Sequence, residues 1–164
     1  MPIISAVTVT HRLRRRPVIE VSELADEPLL LAGHQFGLRS WFDAACDAAH
    51  VRPRVAAESA SPHTLVSLAR EGFGVAIVPS DLQPHHDGVR FLPLVHRGAA
   101  VGRWAGVGWN PRRTLPLYAE LFASELAAAV KRSHPGRQVV RRAPPMPRPP
   151  QPSPTRLPER REHG

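Results

Sequence analysis

The sequence predicts an α/β fold, a lobe built on a parallel sheet, from two observations. Short apolar runs alternate with amphipathic helical stretches between Pro28 and Pro79, and the last run, Phe73–Pro79 (FGVAIVP), is apolar throughout. A continuous run of that kind suits a strand covered on both faces. Strand, helix, strand, helix, strand in succession is the pattern of a parallel sheet with right-handed crossovers.

Pro28–Ala32 (PLLLA) is short, apolar and opened by proline, which predicts a buried strand. Gly37–Ala49 follows with Leu38, Trp41, Phe42, Ala45 and Ala49 at helical spacing, while Arg39, Ser40, Asp43 and Asp47 take the opposite face. Val51–Glu58 (VRPRVAAE) reads as the second strand. Ser61 caps the next helix, Pro62 occupies its first turn, Leu65, Leu68 and Ala69 form its apolar stripe, and Gly72 stops it. The coil Ser80–Gly88 (SDLQPHHDG) makes a hinge or lobe boundary. Beyond it, Val89–Val95 and Val101–Trp109 read as strands separated by a turn at Arg97-Gly98, and the pattern does not tie them to the first sheet. Thr114 is placed to cap a helix running to about Lys131, with Leu117, Leu121, Phe122, Leu126 and Val130 as its buried face.

Charge is distributed unevenly along the 164 residues. The net charge is +8, yet nine basic and two acidic residues from Lys131 onward account for most of it. Arg12, Arg14, Arg15 and Arg16 form a second basic cluster, and Pro17–Val130 holds nine basic against twelve acidic residues. The foldable part is therefore mildly acidic, and the overall basicity says little about nucleic-acid binding. Nine of the 19 prolines lie between Pro135 and Pro158. Such a segment buries too little apolar surface to offset its ordering entropy, which predicts a disordered, partly polyproline tail over 133–164. The single cysteine, Cys46, excludes a disulfide framework, no apolar run is long enough to span a membrane as a helix, and Met1–Thr10 lacks the basic start and cleavage site of a secretory signal. A cytoplasmic location is expected.

From Ser22 to Ser80 three segments, LADEPLLL, PRVAAES and LVSLAREGFGVAIVPS, stand in an order and at a spacing that resemble the effector-binding domain of LysR-type transcriptional regulators. His11-Arg12-Leu13 followed by Arg15-Arg16-Pro17 resembles the approach to the same lobe, and the likeness extends over residues 3 to 130. The resemblance implies a two-lobed fold like that of periplasmic binding proteins of the second type. On that reading 1–16 comprises the crossover strand and a basic approach, 17–80 the effector-binding lobe, and 81–132 a return to an incomplete other lobe. It also implies that the helix-turn-helix, the linker helix and the opening of the first lobe are missing, so that the chain is a fragment.

In an open parallel sheet, ligands bind beyond the carboxyl ends of the strands, where loops lead into helix N-termini. Those loops are 33–37 and 59–63, and each is followed by a helix start whose free N–H groups favour an anion. His34, Gln35, Gly37, Ser59, Ser61, His63 and Thr64 are candidates to bind through side chain or backbone, and Phe36 to pack on the apolar part of a ligand. The resemblance places a small effector, often a carboxylate or aromatic acid, in the same cleft, and implies a homo-oligomer if the chain folds. It implies no cofactor, no membrane partner and no direct DNA contact from this chain.

No enzyme is read from the sequence. His85-His86-Asp87 lacks a second pair of metal ligands, Cys46 sits mid-helix without an activating partner, and Glu58 and Glu71 show no paired partner. The arginines Arg12 to Arg16 read as a solvated cluster. Two other classes remain: a stand-alone solute-binding module, disfavoured by the lack of an export signal, and a basic nucleic-acid-associated protein acting through its tail.

Overall fold

A computed structural model describes residues 1–82, 87–104, 110, 114, 116–133 and 136–148, with Lys131 as backbone alone. Strands β1 (Ile3–Thr8), β2 (Ile19–Glu20), β3 (Pro28–Leu31), β4 (Arg54–Glu58), β5 (Val75–Pro79), β6 (Val89–His96) and β7 (Ala99–Ala100) form one sheet. The order is β2-β6-β1-β5-β3-β4, with β7 paired to β6. β3 runs parallel to both β4 and β5, as the alternating pattern predicts. β1 is antiparallel to its neighbours β5 and β6 and sits between them.

The segment from Val89, which the alternating pattern does not tie to the first sheet, begins on it. β6 is a central strand of the same sheet, hydrogen-bonded to β1 from Ile4↔Pro93 to Thr8↔Val89 and parallel to β2. Its apolar run is covered on both faces, which the pattern shows, but which strand it joins depends on pairing that periodicity does not encode. The Arg97-Gly98 turn is borne out. Both residues have positive φ, 50° and 76°, and they close the β6–β7 hairpin as the right-handed twist of two adjoining strands requires. Val101 accepts from Ile3 N, and Gly102 bridges to Pro2. The rest of the strand expected to reach Trp109 lies outside the described residues, as do His85 and His86.

Helix α1 (Gly37–Ala48) covers one face of the sheet and α2 (Pro62–Arg70) the other. Phe42, 1% exposed, anchors α1 over Leu29, Leu31, Val75 and Ile77, with Leu13 and Leu24 from two 3₁₀ turns completing that core. Leu65, Val66 and Ala69 of α2 pack over Ile4, Ala6, Leu30, Ala76 and Val78. Successive residues of β3 and β5 divide between the two cores, the period-2 alternation of a strand buried on both sides. Ser61 caps α2 by accepting from Thr64 N at 3.4 Å, Pro62 stands in the first turn, and Gly72 at φ 85° follows the end of the helix.

Two expectations change toward the C-terminus. Helix α3 (Leu117–Arg132) forms, but Leu117, Leu121, Phe122, Leu126 and Val130 are 38–71% exposed rather than buried. Amphipathic spacing reports a face fit for burial, and among the described residues nothing covers it. The helix is preceded by Pro116 rather than capped by Thr114. The boundary at 133 is also revised, because Arg137–Val140 forms a short helix, α4, whose Val139 is buried against Leu82 and Phe91. Gly136 lies so close to the Ser80 carbonyl that no side chain fits there. Pro145 O accepts from Ala100 N at 3.4 Å, and Pro147 O accepts from Trp104 Nε1 at 2.7 Å. Residues 149–164 lie outside the described set.

Cys46 is 1% exposed within the α1 core, and burial first, then the charges of Asp43 and Asp47, push its thiol up to about 12. It is therefore inert in the native state. Ellman's reagent is expected to leave the folded protein unlabelled and to titrate one thiol in denaturant. Rapid labelling without denaturant would contradict the packing of α1.

Candidate functional site

The parallel strands β3 and β4 pair from Pro28↔Arg54 to Leu31↔Glu58, so their carboxyl ends stop side by side. Each then opens into one of the two predicted loops. Ser59 N donates back to Leu31 O at 3.1 Å, which fixes the second loop against the end of β3. The first loop is a tight turn, with Phe36 N donating to Gly33 O at 3.0 Å. The end of the Gln35 side chain folds over Gly33 and would have to move for a Cβ there.

An ion cluster ties these loops together. Arg39, in the first turns of α1, has a side chain only 7% exposed. Its Nε donates to both oxygens of Asp43 at 2.9 and 3.0 Å, and its Nη1 donates to Glu58 Oε1 at 2.5 Å and to Ala32 O at 3.2 Å. The planar guanidinium thus spans the ends of β3 and β4 in a way an ammonium could not. Burial works against the Arg39 charge, but hydrogen bonds to Glu58 and Asp43 outweigh it and hold the proton more tightly than usual. The hydrogen bond from Arg39 in turn holds the Glu58 carboxyl below its ordinary range.

Periodicity places Arg39 and Asp43 on a polar outer face, and the sequence shows no partner for Glu58. Both readings are corrected by this cluster. A helix riding on a sheet turns the first residues of its polar face toward the strand ends, and only the three-dimensional register reveals that Glu58 stands there. Glu71 likewise has a partner, Arg70, at 3.0 Å on the surface.

Among the predicted residues, His34 joins the cluster at its rim. Its Nδ1 lies 3.8 Å from Asp43 Oδ2 and its Nε2 4.0 Å from Glu58 Oε1, with the side chain 71% exposed. Phe36 is 38% exposed beside it and precedes α1 without making a side-chain cap. No side chain caps the start of α1, while Arg39 N donates to Phe36 O at 3.0 Å. In the second loop Ser59 Oγ accepts from Ser61 N at 3.1 Å, and Ser61 Oγ is taken up by the α2 cap. Thr64 is exposed, and His63 O accepts from Ser67 Oγ. Behind Gly37, Trp41 is stacked by Arg103, whose Cζ lies 5.7 Å from the ring centroid. Trp41 Nε1 is buried with no acceptor among the described residues.

The LysR substrate binding domain profile matches residues 2–131. The chain belongs to this family. The effector domain of LysR regulators has the mixed sheet found here, and the solved structures agree on the fold. HinK, a LysR family regulator from Pseudomonas aeruginosa, superposes with a TM-score of 0.59 at 20% identity, over 75% of this chain and 43% of HinK. The C-terminal domain of a probable LysR family regulator from Rhodococcus sp. RHA1 gives 0.57 at 18% identity, covering 77% of this chain and 63% of that one. The effector binding domain of QuiR, solved in complex with shikimate, gives 0.54 at 20% identity over 57% and 45%. The chain thus spans less than two thirds of each of these LysR proteins. LysR effector domains are a non-enzymatic family. Among the described residues no helix is long and apolar enough to cross a membrane.

Proposed function

We propose that this LysR effector domain senses a small hydroxylated or amino-substituted carboxylate at the 33–37 and 59–64 loops, and that it modulates transcription as part of a complete regulator whose DNA contacts lie elsewhere. The observation that carries the reading is the pairing of unlike groups at one rim. Uncapped N–H groups at the start of α1 favour a carboxylate. The half-exposed carboxylates Asp43 and Glu58, fixed by Arg39 with lone pairs to spare, accept from hydroxyl or amino groups. Phe36, 38% exposed, offers an apolar wall. Shikimate, present in the QuiR complex, combines a carboxylate with hydroxyl groups and is the natural probe.

A binding cleft needs two walls, and these loops form one. Affinity in this chain is therefore expected in the millimolar range, about 4 kcal/mol. Titrating shikimate into isotope-labelled protein should shift the backbone amides of Phe36, Gly37, Ser59 and Thr64 and leave those of α4 unmoved. Glu58→Gln should weaken that response. No shift at these amides at saturating millimolar ligand, or shifts elsewhere only, would sink the proposal. A homo-oligomer belongs to the same reading, supported by the exposed apolar stripe of α3, which is the kind of surface that association covers.

A further inference from the structure

The four arginines of the basic segment do not behave as one solvated cluster. Arg12 Nε donates to Glu27 Oε1 at 2.5 Å, and Arg16 pairs with Glu23 at 2.9 Å, so two of them are neutralised within the fold. Arg14 and Arg15 have no carboxylate partner among the described residues. Together with Arg90 and Val9 they line an open surface concavity of about 390 Å³. Arg90 has no carboxylate partner there either. Its place is set by β6, where it pairs with Val7 of β1. The position of Arg14 and Arg15 is set by Leu13, 1% exposed in the α1 core, and by Arg14 Nη1 donating to His11 O at 3.4 Å.

This concavity is remote from the effector loops. The end of β1 at Thr8 faces Val89, whereas Ile3 at the other end faces Pro79, the carboxyl end of β5. The loops lie at the latter end of the sheet, and the arginines lie at the former, about 20 Å away along a six-residue strand.

We propose that Arg14, Arg15 and Arg90 form a second binding site, for a small polyanion carrying at least two negative charges. Three guanidinium groups share one concavity, and none of them has a carboxylate partner among the described residues. A compact polyanion can bridge them, since guanidinium forks pair in bidentate fashion with phosphoryl or carboxylate oxygens. Val9, half-exposed at the rim, supplies an apolar edge.

Calorimetric titration of the full chain with inorganic pyrophosphate, and separately with citrate, tests this at low ionic strength. Saturable binding of one equivalent is expected for at least one of the two, and the preferred anion distinguishes a phosphoryl from a polycarboxylate ligand. The Arg15→Ala/Arg90→Ala double variant should lose about tenfold or more in affinity, the scale of one charge-assisted hydrogen bond. Arg54→Ala, which removes an exposed arginine from the far edge strand, should bind as the unaltered chain does, and circular dichroism should show all variants folded. No saturable binding of either anion, equal affinity in the double variant, or an equal loss in Arg54→Ala would overturn the site. So would capture of duplex DNA without binding of either small anion.

Discussion

Replacing Phe42 by alanine is expected to lower the unfolding free energy by about 3–5 kcal/mol, which for a domain of ordinary stability is a large share of the total. Phe42 is the largest fully buried side chain among the described residues and packs α1 in one core with residues of β3 and β5. Its removal opens a cavity between helix and sheet that Leu29, Leu31 and Ile77 cannot collapse to fill, because they are fixed by strand pairing on either side. α1 also carries Arg39 and Asp43, so the candidate site should lose its order along with the helix. Urea unfolding measures the effect as a lower midpoint at unchanged slope. A loss below about 1 kcal/mol would mean that α1 is not held by this core.

Arg39→Ala is expected to cost about 1–3 kcal/mol, and its effect should depend on pH. The figure sits below that for a fully buried ion pair because the Asp43 and Glu58 side chains are 34% and 43% exposed, and water replaces the lost partner. What remains unsatisfied is the Ala32 carbonyl, together with the link between the ends of β3 and β4. Glu58 is held below its ordinary value of 4.5, first of all by the hydrogen bond from Arg39. A carboxyl with a depressed folded value contributes stability that is complete above 4.5 and is lost as pH falls through the lower folded value. The difference in urea midpoint between the unaltered protein and Arg39→Ala should therefore be constant near neutrality and shrink in acid. Arg39→Lys should restore only part of it, since an ammonium cannot reach Asp43, Glu58 and the Ala32 carbonyl in one plane. A difference that does not narrow in acid would show that Glu58 is not stabilised through Arg39.

The local elements were legible because each is written in neighbouring residues. The PLLLA strand, the Gly37 helix, the Ser61-Pro62 helix start and the Arg97-Gly98 turn stand where spacing and turn chemistry put them, and the FGVAIVP strand does so from Val75, with Phe73 outside it and 63% exposed. The parallel pairing of β3 with β4 and β5 followed from the alternation of strand and helix. The place of β6 beside β1 did not, since pairing between strands distant in sequence leaves no mark on periodicity. The same limit hid the center of the candidate site. His34 was read from its loop, but Arg39 and Glu58 are 19 residues apart and meet only when β4 is aligned on β3. For α3 the helix was legible and its environment was not, because an apolar stripe specifies a need for cover without specifying what provides it.

The strand order carries a consequence for how the protein is made. β1, at the middle of the sheet, has its partners at Val75–Pro79 and Val89–His96, far along the chain. During synthesis Ile3, Ile4, Ala6 and Val7 leave the ribosome well before either neighbour exists, and at about 5–20 residues per second the wait lasts seconds. Contacts so distant in sequence also slow folding itself, since the intervening loop must close before any pairing is gained. For that interval the nascent chain presents an apolar, unpaired strand, an obvious ligand for a chaperone, and completing the sheet is coupled to translation of the sixth strand.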